Sequence, residues 1–481
     1  MTTRASPSLC ERYQQATNYT PASVQGHPGL DFSRQPSAFK TWHQARRVVL
    51  PRDPGEPDGT TALDLPRLGR LLHHTYGVTL VREVPGMSMH YRAAPSAGGL
   101  YPAELYVAIR GVEGAPDGLF AYDAREHALV VCWEGDFTAD LTHAAFHHPA
   151  MSDARIILIA TGVFQRSAWR YGDRAYRRVL LDTGHVLGNA VVAAEAEGLS
   201  IVPLTDFHDE PLENMLLLDP AHEGVLALGV VREGPSGDLL APALRSPTVR
   251  EAAEPDDGAW IAPVHAAGRM AAAEPAEAPF DPAPLPAPAG PAVALVGPDT
   301  DVDATTALQT IRRRRSTRMF APAPVALEDL GRVLYAGYPG DATRMAVDVL
   351  ETWVVTAGVH GLPDGVHKYE PDPHTLTPIR FGNPRDALHR CCLWQELGRD
   401  CSFAVIHTVD LGAAVARYGE RIYRTVHLDA GLIGQRLNLA ALHARLGASG
   451  IAGFFDEHLA QLLHGSSERA IVYVTAIGVP A

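Results

Sequence analysis

Residues 311–320 read IRRRRSTRMF, and Arg314, Arg315, Ser316 and Arg318 set guanidinium groups and a hydroxyl near the start of a helix. Planar, fixed donors beside the free N–H groups of a helix end suit a dianionic phosphate. On charge alone, a solvated basic patch fits as well. Residues 95–102 read PSAGGLYP. There Gly98 and Gly99 let the backbone approach a flat ligand, and Ser96 and its neighbours offer hydrogen bonds to the ligand's edge. A plain turn before a strand is the simpler alternative.

An internal duplication gives these segments meaning. RYGDRAYR at 170–177 returns as RYGERIYR at 417–424, an offset of 247 residues. GAPDG at 114–118 returns as GLPDG at 361–365, Tyr122 as Tyr369, Leu181-Asp182 as Leu428-Asp429, and Asp209-Glu210 as Asp456-Glu457. Matches in one register mean two copies of one fold, hence a fused homodimer. The copies have decayed in complementary ways. Aligned through LGRLL and LGRVL, the counterpart of the basic segment in the first copy is RDPGE at 52–56, a poor phosphate site. The counterpart of PSAGGLYP in the second copy is ATRMAVDV at 342–349, without Gly, Ser or Pro. If the retained halves meet across the interface, the chain builds one complete site.

The elements that must position them follow from spacing. Leu-rich helical periodicity runs over 65–76 and 327–338, and long Ala/Leu-rich helices with internal glycines over 176–196 and 423–445. Strands are predicted at 104–110, 351–357, 155–160, 402–407 and 470–479. The Pro/Ala-rich run 271–298 cannot build a core and reads as extended linker. The expected organisation is an N-terminal domain over 1–262, a linker over 263–300 and a C-terminal domain over 301–481. The fold class is α+β: two tandem domains, each a short mixed sheet flanked by long helices, forming an intramolecular pseudo-dimer. With 55 acidic against 41 basic residues, the formal charge of -14 disfavours nucleic acid and anionic membranes as partners. No apolar run reaches spanning length, the N-terminal residues lack a signal-peptide stretch, and five cysteines without a CxxC pair support neither a disulfide framework nor zinc. His73-His74 and His147-His148 form no ligand constellation, so no metal is expected. A reduced, cytoplasmic setting is expected.

Four segments resemble the nitroreductase-like flavoprotein superfamily, in particular its SagB-type, or azoline oxidase, branch. They are RRSTRMF (314–320), PSAGGLYPAELY (95–106), GLFAYDAREHAL (118–129) and YGDRAYRRVLLDTGH (171–185). The resemblance implies one FMN per chain, with its phosphate on Arg314, Arg315, Ser316 and Arg318. It places the ring on the loop Pro95, Ser96, Ala97, Gly98, Gly99, Leu100 and Tyr101. Backbone of the matching SGIAGF segment (449–454), at Ile451, Ala452 and Gly453, approaches the ring, and Gln435 is a further candidate contact. The implied chemistry is removal of a hydride and a proton from a thiazoline or oxazoline on a peptide or carrier-bound intermediate, with O₂ as electron acceptor. A cyclodehydratase or another biosynthetic protein is the implied partner.

Some members of that branch use a Lys-Tyr pair as base machinery. Here Arg170-Tyr171 and Arg417-Tyr418 stand in its place. Arginine keeps its proton and cannot be a base. Tyr171 is then the candidate base, with Arg170 lowering its pKa, and His185, replaced by Leu432 in the second copy, is a further catalytic candidate. The competing reading is structural: RYGxRxYR is kept in both copies and ties the long helix to its surroundings, while a lone helical His is most often a core residue. Two other functions remain open, an NAD(P)H-dependent nitro or quinone reductase and a flavin-fold scaffold without activity.

Overall fold

The computed structural model describes residues 6–25, 29–51, 57, 62–85, 87–234, 243–246, 259–297, 302–338, 340, 343–346, 348–465 and 469–481. The segment RDPGE at 52–56 lies outside them, as do residues 342 and 347 of the second loop. The repeat register carries into three dimensions. The long helices Ala175–Ala196 and Ile422–His443, the strands Ala128–Glu134 and Thr375–Phe381, and the closing strands Glu223–Glu233 and Ala470–Pro480 all begin and end 247 residues apart.

The first sheet runs in the order Arg47–Val49, Ala128–Glu134, Gly118–Asp123, Ala103–Ile109, Ile156–Val163, Glu223–Glu233, Leu199–Leu204. The second repeats that order from Thr375–Phe381 through Gly365–Glu370, Glu351–Thr356 and Phe403–Val409 to Ala470–Pro480, on which Gly447–Ile451 pairs. Where a mixed sheet was expected, the ladders between these named strands are antiparallel. The central strands are buried on both faces, which explains their continuous apolar runs, such as IILIATGV over Ile156–Val163.

The two long helices cross at the pseudo-two-fold axis. A Cβ on Gly184 would lie 2.8 Å from the Gly431 Cα, and one on Gly431 would lie 2.9 Å from the Gly184 Cα. Only glycine permits this approach, and the two residues are each other's repeat equivalents. Nearly every side chain of both helices is buried, so neither helix has a solvent face to spare.

Each end of the crossing is closed by a buried charge cluster. Arg174 and Arg177 of the first domain each donate to Asp456 of the second at 2.7 Å. Their equivalents Arg421 and Arg424 reach Asp209 of the first domain, at 2.6 and 2.9 Å. The backbone N–H of Tyr19 donates to Asp456 at 3.0 Å, and that of Met270 to Asp209 at 2.7 Å. Two segments outside the repeat therefore complete equivalent clusters. The N-terminal helix Leu9–Ala16 lies in the same interface. The backbone N–H groups of Leu9 and Cys10 donate to Glu420, and the Tyr423 hydroxyl donates to Gln14.

Burial alone raises the Asp456 pKa, but Arg174 and Arg177 outweigh it and hold the carboxyl below its ordinary value. A group depressed in the folded state stabilises fully above its unfolded pKa, about 4, and loses that contribution as pH falls through the lower folded value. Asp456→Asn strands two buried guanidinium groups and should cost about 3–5 kcal/mol at neutral pH. Urea denaturation is expected to show this deficit at pH 7 and a shrinking one as the medium is acidified. A constant deficit across that range would contradict the assignment.

Candidate active site

The basic segment of the second domain and the glycine loop of the first meet across the interface. Arg314, 4% exposed, donates from Nε to the Ala93 carbonyl at 3.1 Å, two residues before Pro95. Its Nη1 is buried and has no hydrogen-bond partner among the described residues. Burial pushes this guanidinium down to about 10, still fully charged at neutral pH. Arg315, half-buried, reaches Thr79 Oγ1 at 3.4 Å and stands over the Tyr91 ring of the hairpin Val78–Val84/Met87–Arg92. Ser316 is half-buried and Arg318 exposed. Arg315 and Arg318 both act electrostatically on Arg314, so the positive charges converge on one place.

The loop is held from below by a residue not singled out as a site residue from sequence, Asp182. The Ser96 hydroxyl donates to Asp182 at 2.6 Å, and the Ala97 N–H donates to both of its oxygens at 3.1 and 3.2 Å. Ser96 Oγ in turn accepts the Tyr101 N–H at 2.8 Å. Gly98 and Gly99 both have a φ of 66°, the left-handed region glycine tolerates. A Cβ on Gly98 would lie 2.8 Å from the Tyr171 hydroxyl and 3.5 Å from Arg170, whereas Gly99 faces open space. Pro95, Ser96 and Ala97 are half-buried, and Leu100 and Tyr101 are buried. Tyr101 is a core aromatic: its hydroxyl accepts the Arg92 N–H at 3.2 Å and its carbonyl accepts Arg166 at 3.0 Å.

The third piece arrives on the strand Gly447–Ile451 and the residues after it. Ile451 is buried, and Ala452 and Gly453 are half-buried. The Ala452 carbonyl accepts Arg178 of the first domain at 3.3 Å. Arg170-Tyr171 ends the helix Gln165–Tyr171, and Gly172, with φ 56°, turns the chain out of it. The Tyr171 hydroxyl makes no hydrogen bond among the described residues. Burial raises its pKa above the ordinary phenol value, against the pull of Arg178 and Arg170, so it carries its proton at neutral pH.

His185, the other catalytic candidate, sits in a buried, hydrogen-bonded position. It is 3% exposed, its Nδ1 donates to the Leu181 carbonyl at 2.7 Å, and its Nε2 accepts the Tyr473 hydroxyl at 3.0 Å. Burial drops its pKa to about 4, so the ring is neutral. Tyr473 packs directly beneath Gly450, so the His185–Tyr473 pair supports the strand that carries Ile451. Gln435 is wholly buried under Gly188 and donates to Asn189 Oδ1 at 2.6 Å, although its own Oε1 has no partner among the described residues.

The pseudo-symmetric position is built differently. Asp429 still anchors the loop through the N–H groups of Met345 and Ala346, but Arg344 takes the place of a small residue and pairs with it at 3.3 Å. Tyr418 is tied to Asp348 by a short hydrogen bond, and Ser246 packs against Gly419, donating its N–H to the Tyr418 carbonyl at 3.0 Å. Arg178 is replaced by Thr425. Among the described residues, no cluster of His, Cys, Asp and Glu is fit for a metal, and no helix is long and apolar enough to cross a membrane.

The nitroreductase family model matches residues 60–232 and again 311–479. The chain belongs to the nitroreductase family. This oxidoreductase family includes a crystal structure from Anabaena variabilis, described as a candidate nitroreductase, that superimposes with a TM-score of 0.88 at 35% identity. The match covers 98% of this chain and 100% of that one, so the tandem arrangement is shared. A candidate nitroreductase of Methanocaldococcus jannaschii, MJ1384, is 32% identical over 157 residues, 33% of this chain and 76% of its own. The trifolitoxin-processing protein TfxB of Rhizobium leguminosarum bv. trifolii is 29% identical over 175 residues, 35% of this chain. The chain spans about half, 47%, of the length of TfxB.

Burial pushes the Asp182 carboxyl up to about 7, more than its bonds to Ser96 and Ala97 pull it down. A raised folded pKa gives stability that is full below the unfolded value and lost as pH rises through the folded one. Asp182→Asn keeps an acceptor for the loop and removes this titration. Its melting temperature is expected to gain on that of the unsubstituted protein from about pH 4 to about pH 7. A parallel offset across that interval would show that Asp182 does not titrate in the folded state.

Proposed function

We propose that this nitroreductase-family chain is an FMN-dependent dehydrogenase that oxidises thiazoline or oxazoline rings to the aromatic azoles on a peptide or carrier-bound intermediate, with O₂ as the final electron acceptor. One observation carries the cofactor assignment. Arg314 Nη1 is an orphaned, buried, charged donor beside the glycine loop of the other domain, and such a group calls for an anion. Arg314, Arg315, Ser316 and Arg318 would hold the phosphate. The backbone of Ser96–Gly99 and of Ile451–Gly453 would border the ring. When bound, FMN supplies a hydride acceptor at the interface. The chain's own part is to orient the substrate, exclude water and exchange a proton at the Tyr171 hydroxyl.

The substrate class is supported by the PSAGGLYPAELY and RYGDRAYR segments and by TfxB, whose name concerns the processing of trifolitoxin. Oxidation of an azoline removes a hydride and a proton from the ring, leaving two fewer hydrogens and one more double bond. A peptide carrying such a ring, incubated with the flavin-loaded protein and O₂, should lose that mass per ring. A second reading, NAD(P)H-dependent reduction of a nitro compound or quinone, is favoured by the protonated state of Tyr171, which suits a donor. The two readings give opposite pH profiles. As a base, Tyr171 should make kcat/KM climb about tenfold per pH unit from neutrality upwards. As a donor, it should give a plateau that falls in alkali. Tyr171→Phe should flatten whichever profile is found, and a profile unchanged in that variant would remove Tyr171 from the chemistry.

Released-flavin quantitation should find one FMN per chain, since the second position lacks open space behind Tyr418 and fills its loop with Arg344. Arg314→Ala should weaken FMN by about 1.5–3 kcal/mol, roughly tenfold or more in Kd, with Arg318→Ala, at an exposed position, losing less. Full flavin retention by Arg314→Ala would sink the phosphate assignment.

A further inference from the structure

Arg178 stands apart from the other arginines of the repeated motif because the second copy does not keep it. Arg170, Arg174 and Arg177 recur as Arg417, Arg421 and Arg424, but Arg178 becomes Thr425, whose hydroxyl donates to Thr205 at 3.1 Å. Arg178 is 5% exposed and makes no direct ion pair among the described residues. Its guanidinium lies 3.9 Å from the centroid of the Tyr171 ring. Its Nη2 makes long bonds, 3.3 Å to the Ala452 carbonyl and 3.4 Å to the Tyr19 hydroxyl. Its Nη1 is buried with no hydrogen-bond partner among the described residues. The carboxylate its charge acts on is Asp182 of the same helix, without a direct ion pair. A buried guanidinium without a direct ion pair is costly, and the fold keeps this one only on the side that also keeps the glycine loop and the basic segment. Arg170, by contrast, is half-buried, and its guanidinium is 5.5 Å from the same ring.

We propose that Arg178, not Arg170, is the positioning residue of the composite site: it stacks on Tyr171, ties it to Ala452 of the other domain, and supplies the positive charge that favours the phenolate when the hydroxyl exchanges a proton with substrate. This rests on the reading of Tyr171 as the proton-exchanging group, and it adds the partner that tunes it. The groups facing Tyr171 are few. Burial raises its pKa, Arg178 of the long helix and Arg170 of its own helix lower it, and Asp182 and Tyr19 raise it. A guanidinium stacked on a ring both fixes its orientation and disfavours loss of its own charge, so the effect is directional.

The test reads Tyr171 itself, without flavin or substrate. The full-length chain is labelled with ring-¹³C tyrosine, and the Tyr171 resonance is assigned by its absence in Tyr171→Phe. Its titration is then followed in the unsubstituted protein, Arg178→Thr and Arg170→Met. Threonine is the residue the same fold carries at the related position, so the variant is suited to folding. Arg178→Thr should raise the Tyr171 midpoint by about one pH unit or more, Arg170→Met by less, and Arg178→Lys should restore most of the original value. An unmoved midpoint in Arg178→Thr, or a larger shift in Arg170→Met, overturns the proposal. Should Arg178→Thr not fold, Arg178→Gln carries the same test with more of the side chain's volume kept. If the midpoint moves as expected while Tyr171→Phe leaves the pH profile of substrate turnover intact, the coupling stands and the functional reading of Tyr171 falls.

Discussion

The structure depends on one contact, the approach of two long helices at Gly184 and Gly431. Because these residues are repeat equivalents, the crossing point is also the axis that relates the halves. Backbone-to-backbone contact there leaves no room for a side chain on either partner, and it sets the depth at which each domain sits in the other. From that depth follow the reach of Arg174 and Arg177 to Asp456 and of Arg421 and Arg424 to Asp209. The same depth brings Arg314 to the carbonyl of Ala93. A wider crossing would separate the basic segment from the glycine loop before it disturbed either domain's sheet.

On this symmetric frame the chain is markedly unsymmetric in what it leaves open. Gly172 and Gly99 face free space on one side, and their related region on the other is occupied by Ser246 and Arg344. Tyr171 is unbonded and Tyr418 is tied to Asp348. Arg178 is buried without a direct ion pair among the described residues, whereas Thr425 is satisfied by Thr205. These differences fall at the position where three separately retained segments converge.

Much of this was legible in sequence because duplication is a strong signal. The register of 247 residues predicted helices and strands that the structure reproduces within a few residues, and the ends of both long helices follow it. The complementary loss of the basic segment and the glycine loop anticipated which segments would be neighbours. Legibility failed where partners lie in the other half. Asp182, Arg174 and Arg177 all stood in the repeat register, yet spacing along a chain cannot reveal that one anchors a loop and the others cross to Asp456. The absence of His185 from the second copy suggested chemistry, and spacing could not reveal its bond to Tyr473 of the other half. Arg178 was readable as an asymmetry between copies, but only its place over Tyr171 gives that asymmetry meaning.

The reciprocal charge clusters have a consequence for how such a chain comes into being. Synthesis runs from the N-terminus, so the helix bearing Arg174 and Arg177 leaves the ribosome long before Asp456 has been made. Until then the two guanidinium groups have acceptors on Gln14, Thr17 and Asn18 but not the carboxylate they share, and Asp209 waits equally for arginines more than two hundred residues downstream. Both clusters therefore close only once the second copy has been made, which ties the final packing of the first half to the folding of the second.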